Sequence, residues 1–148
     1  MNIMNFFTPK SNVAYLLDTY TLRQTMEKME NSGYSAIPIL DKENHYVGTM
    51  TEGDVLWYIK NSNLQSLRDC ERHSLSEIKR RRDNIPVTIS TSINDVLKTA
   101  LDNNFVPVID DRGYFIGIVT RKSIIHNFLY GEIKEEIEEL REQDKDPV

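Results

Sequence analysis

A single cysteine, Cys70, stands among the 148 residues. One thiol closes no internal disulfide and builds no thiolate metal cage, which excludes the small disulfide-framed and zinc-ribbon classes. Glycine and proline are scarce, with 6 and 5 copies, so collagenous and low-complexity chains are excluded as well. No apolar run comes near the ~20 residues that a membrane-spanning helix requires. The opening Met1-Asn2-Ile3-Met4-Asn5 has neither the basic flank nor the apolar core of a secretory signal, and the expected location is the cytoplasm. Excess positive charge is missing too. Lys and Arg total 18 against 23 acids, a net of −5, and the segment 132–148 carries that whole deficit. The remaining body is neutral, which argues against a non-specific DNA, RNA or membrane binder. The three histidines, His45, His73 and His126, lack metal-ligand spacing. No P-loop, nucleophile elbow or glycine-rich dinucleotide fingerprint occurs. With no catalytic constellation, no enzyme, no metal and no cofactor are expected.

What is present is ordinary for a globular chain: 39% apolar and 28% charged residues. The length suits one compact module that buries roughly 68–70% of its unfolded surface. The chain also repeats itself. Ile37-Pro38-Ile39-Leu40-Asp41 aligns with Val106-Pro107-Val108-Ile109-Asp110. At the same offset Tyr46-Val47-Gly48-Thr49-Met50-Thr51 falls on Phe115-Ile116-Gly117-Ile118-Val119-Thr120. Pro, Asp, Gly and Thr are identical, and most other pairs keep apolar opposite apolar. Upstream, two residues are lost where Ser32-Gly33-Tyr34-Ser35-Ala36 meets Asn103-Asn104-Phe105. Beyond that gap Leu22, Met26 and Met29 meet Ile93, Leu97 and Ala100.

In the first copy the apolar run 13–17 suits a buried strand. Thr21 with Gln24 predicts a capping box, opening a helix that buries Leu22, Met26 and Met29 and stops at Gly33. Strands are expected over 37–40 and 46–50 around a polar turn, and Thr51 is expected to cap a helix running to about Lys60. In the second copy the first strand is 87–89, and Ser92 with Asp95 forms the capping box. Val96, Leu97, Ala100 and Leu101 give the buried face; strands 106–109 and 114–119 follow, and Thr120 caps the last helix. The whole of 1–148 is then one module. Its parts are a first repeat over 8–60, a connection over 61–83, a second repeat over 84–130 and a charged helix or tail over 131–148. The connection carries a short helix announced by Ser74-x-x-Glu77. In the tail Ile133, Ile137 and Leu140 form a narrow stripe, the pattern of a helix that packs on its own domain or on a second subunit. One copy is too small to bury its sheet comfortably. The expected fold class is α/β: two pseudo-twofold-related strand-helix-strand-strand-helix repeats packed sheet to sheet.

In each copy an apolar-Pro-apolar strand ending in Asp leads through a polar turn to a glycine-bearing strand ending in Thr, and then to an amphipathic helix. This pattern resembles the CBS domain, and two in tandem resemble a CBS pair, or Bateman module, over about residues 13–129. Val13-Ala14, Gly33-Tyr34-Ser35-Ala36-Ile37-Pro38 and Thr120-Arg121-Lys122 resemble the stand-alone cyclic-di-AMP-binding CBS proteins of Gram-positive bacteria. The resemblance implies a non-catalytic regulatory sensor binding an adenine nucleotide in the cleft between repeats, cyclic-di-AMP ahead of AMP, ADP or ATP. It also implies a homodimer, and signalling through a separate, unidentified effector protein. A ligand-free module that only dimerises and docks a partner is the alternative.

Physical chemistry distributes the site residues. Thr51 and Thr120 lie between a strand and a helix start, where unpaired N–H groups and the positive end of the helix dipole suit a phosphate. On helix statistics alone both are plain N-caps; the resemblance implies that they also touch ribose or phosphate. Three residues on, the copies differ. Asp54 can accept from both hydroxyls of a ribose diol, whereas Ser123 cannot. Arg121 and Lys122 can hold phosphate where the first copy has Glu52 and Gly53; their other reading is a solvated basic pair. A 3′,5′-cyclic dinucleotide has esterified 3′-oxygens and so fits the second motif better. The main cleft is therefore expected from Ala14, Tyr34, Ser35, Ala36, Ile37, Pro38, Thr120, Arg121, Lys122 and Ser123. Tyr34 would face the base, unless it is a core or interface tyrosine. The backbone near Ala36 offers a hydrogen-bonding edge, and the small Ala14 leaves room for a ring. A second cleft is expected from Thr51, Asp54, Phe105, Val106 and Pro107. Lys10, Arg81 and Arg82 border the clefts, as a phosphate path or as a solvated charge run.

Overall fold

The capping signals resolve first. In the computed structural model, which describes residues 2–143, Thr21 Oγ1 accepts from the Gln24 N–H and the Gln24 side chain accepts from the Thr21 N–H. Thr51 and Asp54 repeat that reciprocal box, whereas the box expected of Ser92 and Asp95 is only half formed, Ser92 Oγ accepting from the Asp95 N–H at 3.3 Å. Gly33 closes the first long helix at φ 70°, its N–H bonded to the Met29 carbonyl, a conformation that glycine adopts without penalty.

The elements run β1 (Phe7–Pro9), β2 (Leu16–Leu17), α1 (Leu22–Ser32), β3 (Ala36–Leu40), β4 (Tyr46–Thr51) and α2 (Glu52–Asn61). After α3 (Leu67–Cys70) come β5 (Val87–Thr88), α4 (Ile93–Asp102), β6 (Phe105–Ile109), β7 (Phe115–Thr120) and α5 (Arg121–Gln143). Two sheets form, in strand order β2-β3-β4 and β1-β7-β6-β5. The duplication extends to register. Leu16 pairs with Ile39 as Val87 pairs with Val108, and both hairpins shift register at the same place, Ile39/Leu40 and Val108/Ile109. The first core gathers Leu16, Leu22, Met29, Ile37, Ile39, Met50 and Val55. The second gathers Ile3, Phe6, Val87, Val96, Val106, Val108 and Val119. Thr25 is fully buried in the first repeat; its hydroxyl donates to the Thr21 carbonyl at 2.9 Å, which removes the desolvation penalty.

The structure departs from the sequence reading in five places. The run 13–17 is strand only at Leu16–Leu17, because Val13 closes a 3-10 turn over Lys10–Asn12. Phe7–Pro9, read as no element, is a strand that crosses to the second repeat and pairs antiparallel with β7, Thr8 opposite Ile118. Ser74 caps a single 3-10 turn, Leu75–Glu77, and the short helix of the connection is α3, capped by Ser66. Leu101 is 75% exposed, not part of the buried face. Finally α5 continues through Gly131 without a break, so the division at 130/131 is not a structural boundary. Ile137 and Leu140 are exposed and do not pack on the parent domain; the side chain of Ile133 lies outside the described residues.

Candidate functional site

Side chains alternate across a strand. On β3, Ile37 and Ile39 enter the first core, so Ala36 and Pro38 face the second repeat. On β7, Val119 enters the second core, and Ile118 and Thr120 face the first. Between these faces lies a cavity of about 650 Å³, within the ~300–1,000 Å³ range of small-molecule sites. Val13 and Ala14 ahead of β2, Tyr34 and Ser35 ahead of β3, Phe105 and the first turn of α5 complete it. The outer wall is the crossing arm, Phe6, Phe7 and Thr8.

Nine of the ten residues expected in the main cleft line this one cavity: Ala14, Tyr34, Ser35, Ala36, Pro38, Thr120, Arg121, Lys122 and Ser123. Ile37 does not; it is fully buried on the opposite face of β3. Tyr34 is 58% exposed at the cavity, neither a core nor a packed tyrosine. Thr120 and Ser123 form a cap: Thr120 Oγ1 accepts from the Ser123 N–H at 3.0 Å, and Ser123 Oγ accepts from the Thr120 N–H at 3.1 Å. Arg121 is half committed elsewhere. Its Nε donates to the Ala100 carbonyl at 2.7 Å and its Nη2 to the Leu101 carbonyl at 2.9 Å, closing the C-terminal end of α4. Those carbonyls have no intrahelical partner, so the guanidinium serves them while bordering the cavity. Lys122 is exposed beside it.

Sequence reasoning missed Thr8, His126 and Asn127 among the lining residues. His126 and Asn127 follow Ser123 at helical steps of three and four, a signal that was there to be used. Asn127 also donates to the Asn5 carbonyl at 3.1 Å, tying α5 to the arm. Nothing local announced Thr8.

The second cleft is built differently. Phe105, assigned to it from the repeat, lines the main cavity instead. Val106 and Pro107 are buried, Val106 in the second core. Asp54 is 5% exposed, and both carboxylate oxygens are engaged: Oδ2 accepts from the Thr51 N–H at 3.3 Å and Oδ1 from the Arg81 N–H at 3.2 Å. The connecting segment thus supplies one of the two hydrogen bonds on this carboxylate. Asp83 Oδ1 accepts from the Thr49 N–H at 3.0 Å and from Arg80 Nε at 2.8 Å. Asn84 bridges the repeats, its N–H to the Tyr46 hydroxyl at 3.0 Å and its side-chain amide to the Phe105 carbonyl at 2.9 Å. Burial pushes the Asp83 carboxyl up, but Arg80 and the Thr49 N–H outweigh it and hold the group below the usual carboxylate range. Burial pushes the Tyr46 phenol up.

Lys10, Arg81 and Arg82 do not line the main cavity. Lys10 Nζ sits 5.0 Å over the Tyr15 ring, and the Arg82 guanidinium donates to the Asp102 carbonyl and the Asn103 side chain, a second clasp on the end of α4. The first hairpin turn gathers Asp41, Glu43 and His45 within 4.8 Å. Asp41 is spent on the turn itself, its two oxygens meeting the His45 N–H at 2.8 Å and His45 Nδ1 at 3.1 Å. No helix among the described residues is long and apolar enough to cross a membrane.

A CBS domain protein of Streptococcus pneumoniae TIGR4 is similar to this chain, with 29% identity and a TM-score of 0.77 over 86% of each chain. CbpB, solved in complex with c-di-AMP, is 27% identical with a TM-score of 0.78, over 92% of this chain and 91% of that one. An uncharacterized 17.7 kDa protein of Acidianus ambivalens is 25% identical over 125 residues, 79% of this chain and 71% of its own. The family model of the CBS domain matches twice, over residues 5–61 and 75–130. Those stretches are the two sheet-and-helix halves whose register, bulges and caps recur, and the chain belongs to the CBS-domain family as a tandem pair.

Proposed function

We propose that this chain is a non-catalytic sensor that binds cyclic-di-AMP in the cavity between its two repeats and passes the signal to a separate effector protein. The supporting observation is the cavity of about 650 Å³ that opens at the first turn of α5. Its walls are largely apolar, with Phe7, Ala36, Pro38, Phe105 and Ile118, and Tyr34 offers an exposed ring for an adenine face. Its polar end joins a helix N-terminus to Arg121 and Lys122, which suits a bridging phosphodiester. The likeness to CbpB, whose solved complex holds c-di-AMP, supports the same choice. The rival, AMP or ATP sensing through Thr51 and Asp54, is disfavoured because Asp54 is buried and each of its carboxylate oxygens already accepts from a backbone N–H. The hydroxyls of Thr120 and Ser123 serve the helix cap, so neither stands ready as a nucleophile. A homodimer belongs to the same reading.

Calorimetric titration with cyclic-di-AMP, AMP, ADP, ATP and S-adenosylmethionine tests it. Cyclic-di-AMP is expected to bind, and Lys122→Ala and Arg121→Ala to weaken it by roughly 10-fold each, the worth of one charge-assisted contact. Tight binding of AMP that depends on Asp54, or no binding by any of the five, refutes the proposal.

A further inference from the structure

Past its junction with the domain, α5 stands alone: every residue from Lys134 to Gln143 is exposed. That stretch is about 15 Å of helix at 1.5 Å per residue, and a free helix of so few residues is marginal in water. It nevertheless carries apolar side chains, with Ile137 44% and Leu140 58% exposed, and Tyr130 just ahead of it is 63% exposed. In sequence Tyr130, Ile133, Ile137 and Leu140 alternate in steps of three and four, the a and d positions of two heptads. Glu135, Glu138, Glu139 and Glu142 then fall at the outward b, c and f positions, so most of the acidity of this segment lies on its solvent side, with Glu136 flanking the seam. Because α5 is one continuous helix, the stripe cannot fold back on its own domain.

The residues at the seam name the occupant. A β-branched Ile137 at a, followed by Leu140 at d, is the combination that favours two parallel strands. Charge fixes the direction. Glu136 occupies a g position and Arg141 the next e position, so a parallel pair sets each Glu136 against Arg141 of the partner subunit. An antiparallel pair sets e against e, bringing Lys134 to Arg141 of the partner subunit, two like charges. We infer that residues 130–143 of two copies of this chain pair in parallel as a short two-stranded coiled coil.

The inference does not depend on which nucleotide fills the cavity. Sedimentation velocity on the full chain and its variants tests it. Glu136→Lys and Arg141→Glu should each raise the dimer dissociation constant about 3- to 10-fold, since two symmetry-related exposed pairs turn from attraction to repulsion. The double variant should return to within about twofold of the parent. Leu140→Cys should form a disulfide-linked dimer under mild oxidation, because a parallel in-register pair sets position 140 against itself. Cys70 is 3% exposed, so the parent chain is the control. A dimer indifferent to both reversals and uncrosslinked at Leu140→Cys overturns the pairing but leaves dimerisation through another face intact. A monomer throughout overturns both.

Discussion

Gly48 and Gly117 are identical in the two copies for a reason that local propensity does not contain. A Cβ at Gly117 would strike the Thr8 carbonyl and the Phe7 ring, and one at Gly48 would strike the Asp83 carboxylate and Arg80. Each glycine lets a foreign segment lie against its strand. Gly117→Ala should therefore displace the arm, costing about 1–3 kcal/mol of stability and weakening nucleotide binding. Gly48→Ala should cost less, because the atoms it strikes are side-chain ends that can move aside, and should leave nucleotide affinity within about threefold; paired melting and titration curves separate the two. Asp83 adds a pH dependence. Its unfolded pKa is ~3.9 and its folded value is lower, so its stabilisation is complete above about pH 4 and disappears as pH falls through the folded value. The difference in melting temperature between the parent and Asp83→Asn should shrink below pH 4; a constant difference would contradict the assignment. At this scale the sequence brought Arg121 to the edge of the cavity but did not announce its partners, since the Ala100 and Leu101 carbonyls meet it only after α4 and α5 pack.

The helices and hairpins were legible because their causes are local: capping residues, apolar spacing of 3.6 or 2, and a polar turn. The arm was not. Phe7–Pro9 is a three-residue strand, too short for alternation to register, and its partner β7 lies at the far end of the chain. Its role is nonetheless large. It covers the edge of β7, and an uncovered edge invites pairing with other chains. It is also a wall of the cavity. A chain lacking residues 2–9 should bind no nucleotide and should aggregate more readily, as light scattering and titration would report; retained affinity would show that the arm is dispensable. The equivalent edge of β4 is covered not by a strand but by the Asp83 side chain on the Thr49 N–H, and this inequality makes the two clefts unlike.

For the molecule as a whole, the duplication predicted the fold, and the expected difference between the two clefts has a cause that the motifs alone did not show. Asp54 looked like a ribose ligand in the sequence and is a buried strut in the structure, because the connecting segment supplies the Arg81 N–H that it accepts. One nucleotide per chain is therefore the expected stoichiometry. A ligand at 100 times its Kd should stabilise the fold by ~2.7 kcal/mol, and two molecules per chain in calorimetry would contradict that stoichiometry. The crossing arm also constrains the protein's birth. Thr8 must wait for Ile118 of the second repeat before it can pair. Until then the cavity has no outer wall and the second sheet has a bare margin. Such long-range pairing is slow and exposes the chain to misassociation. On a growing chain the cavity therefore cannot close until the second repeat has emerged to meet the arm.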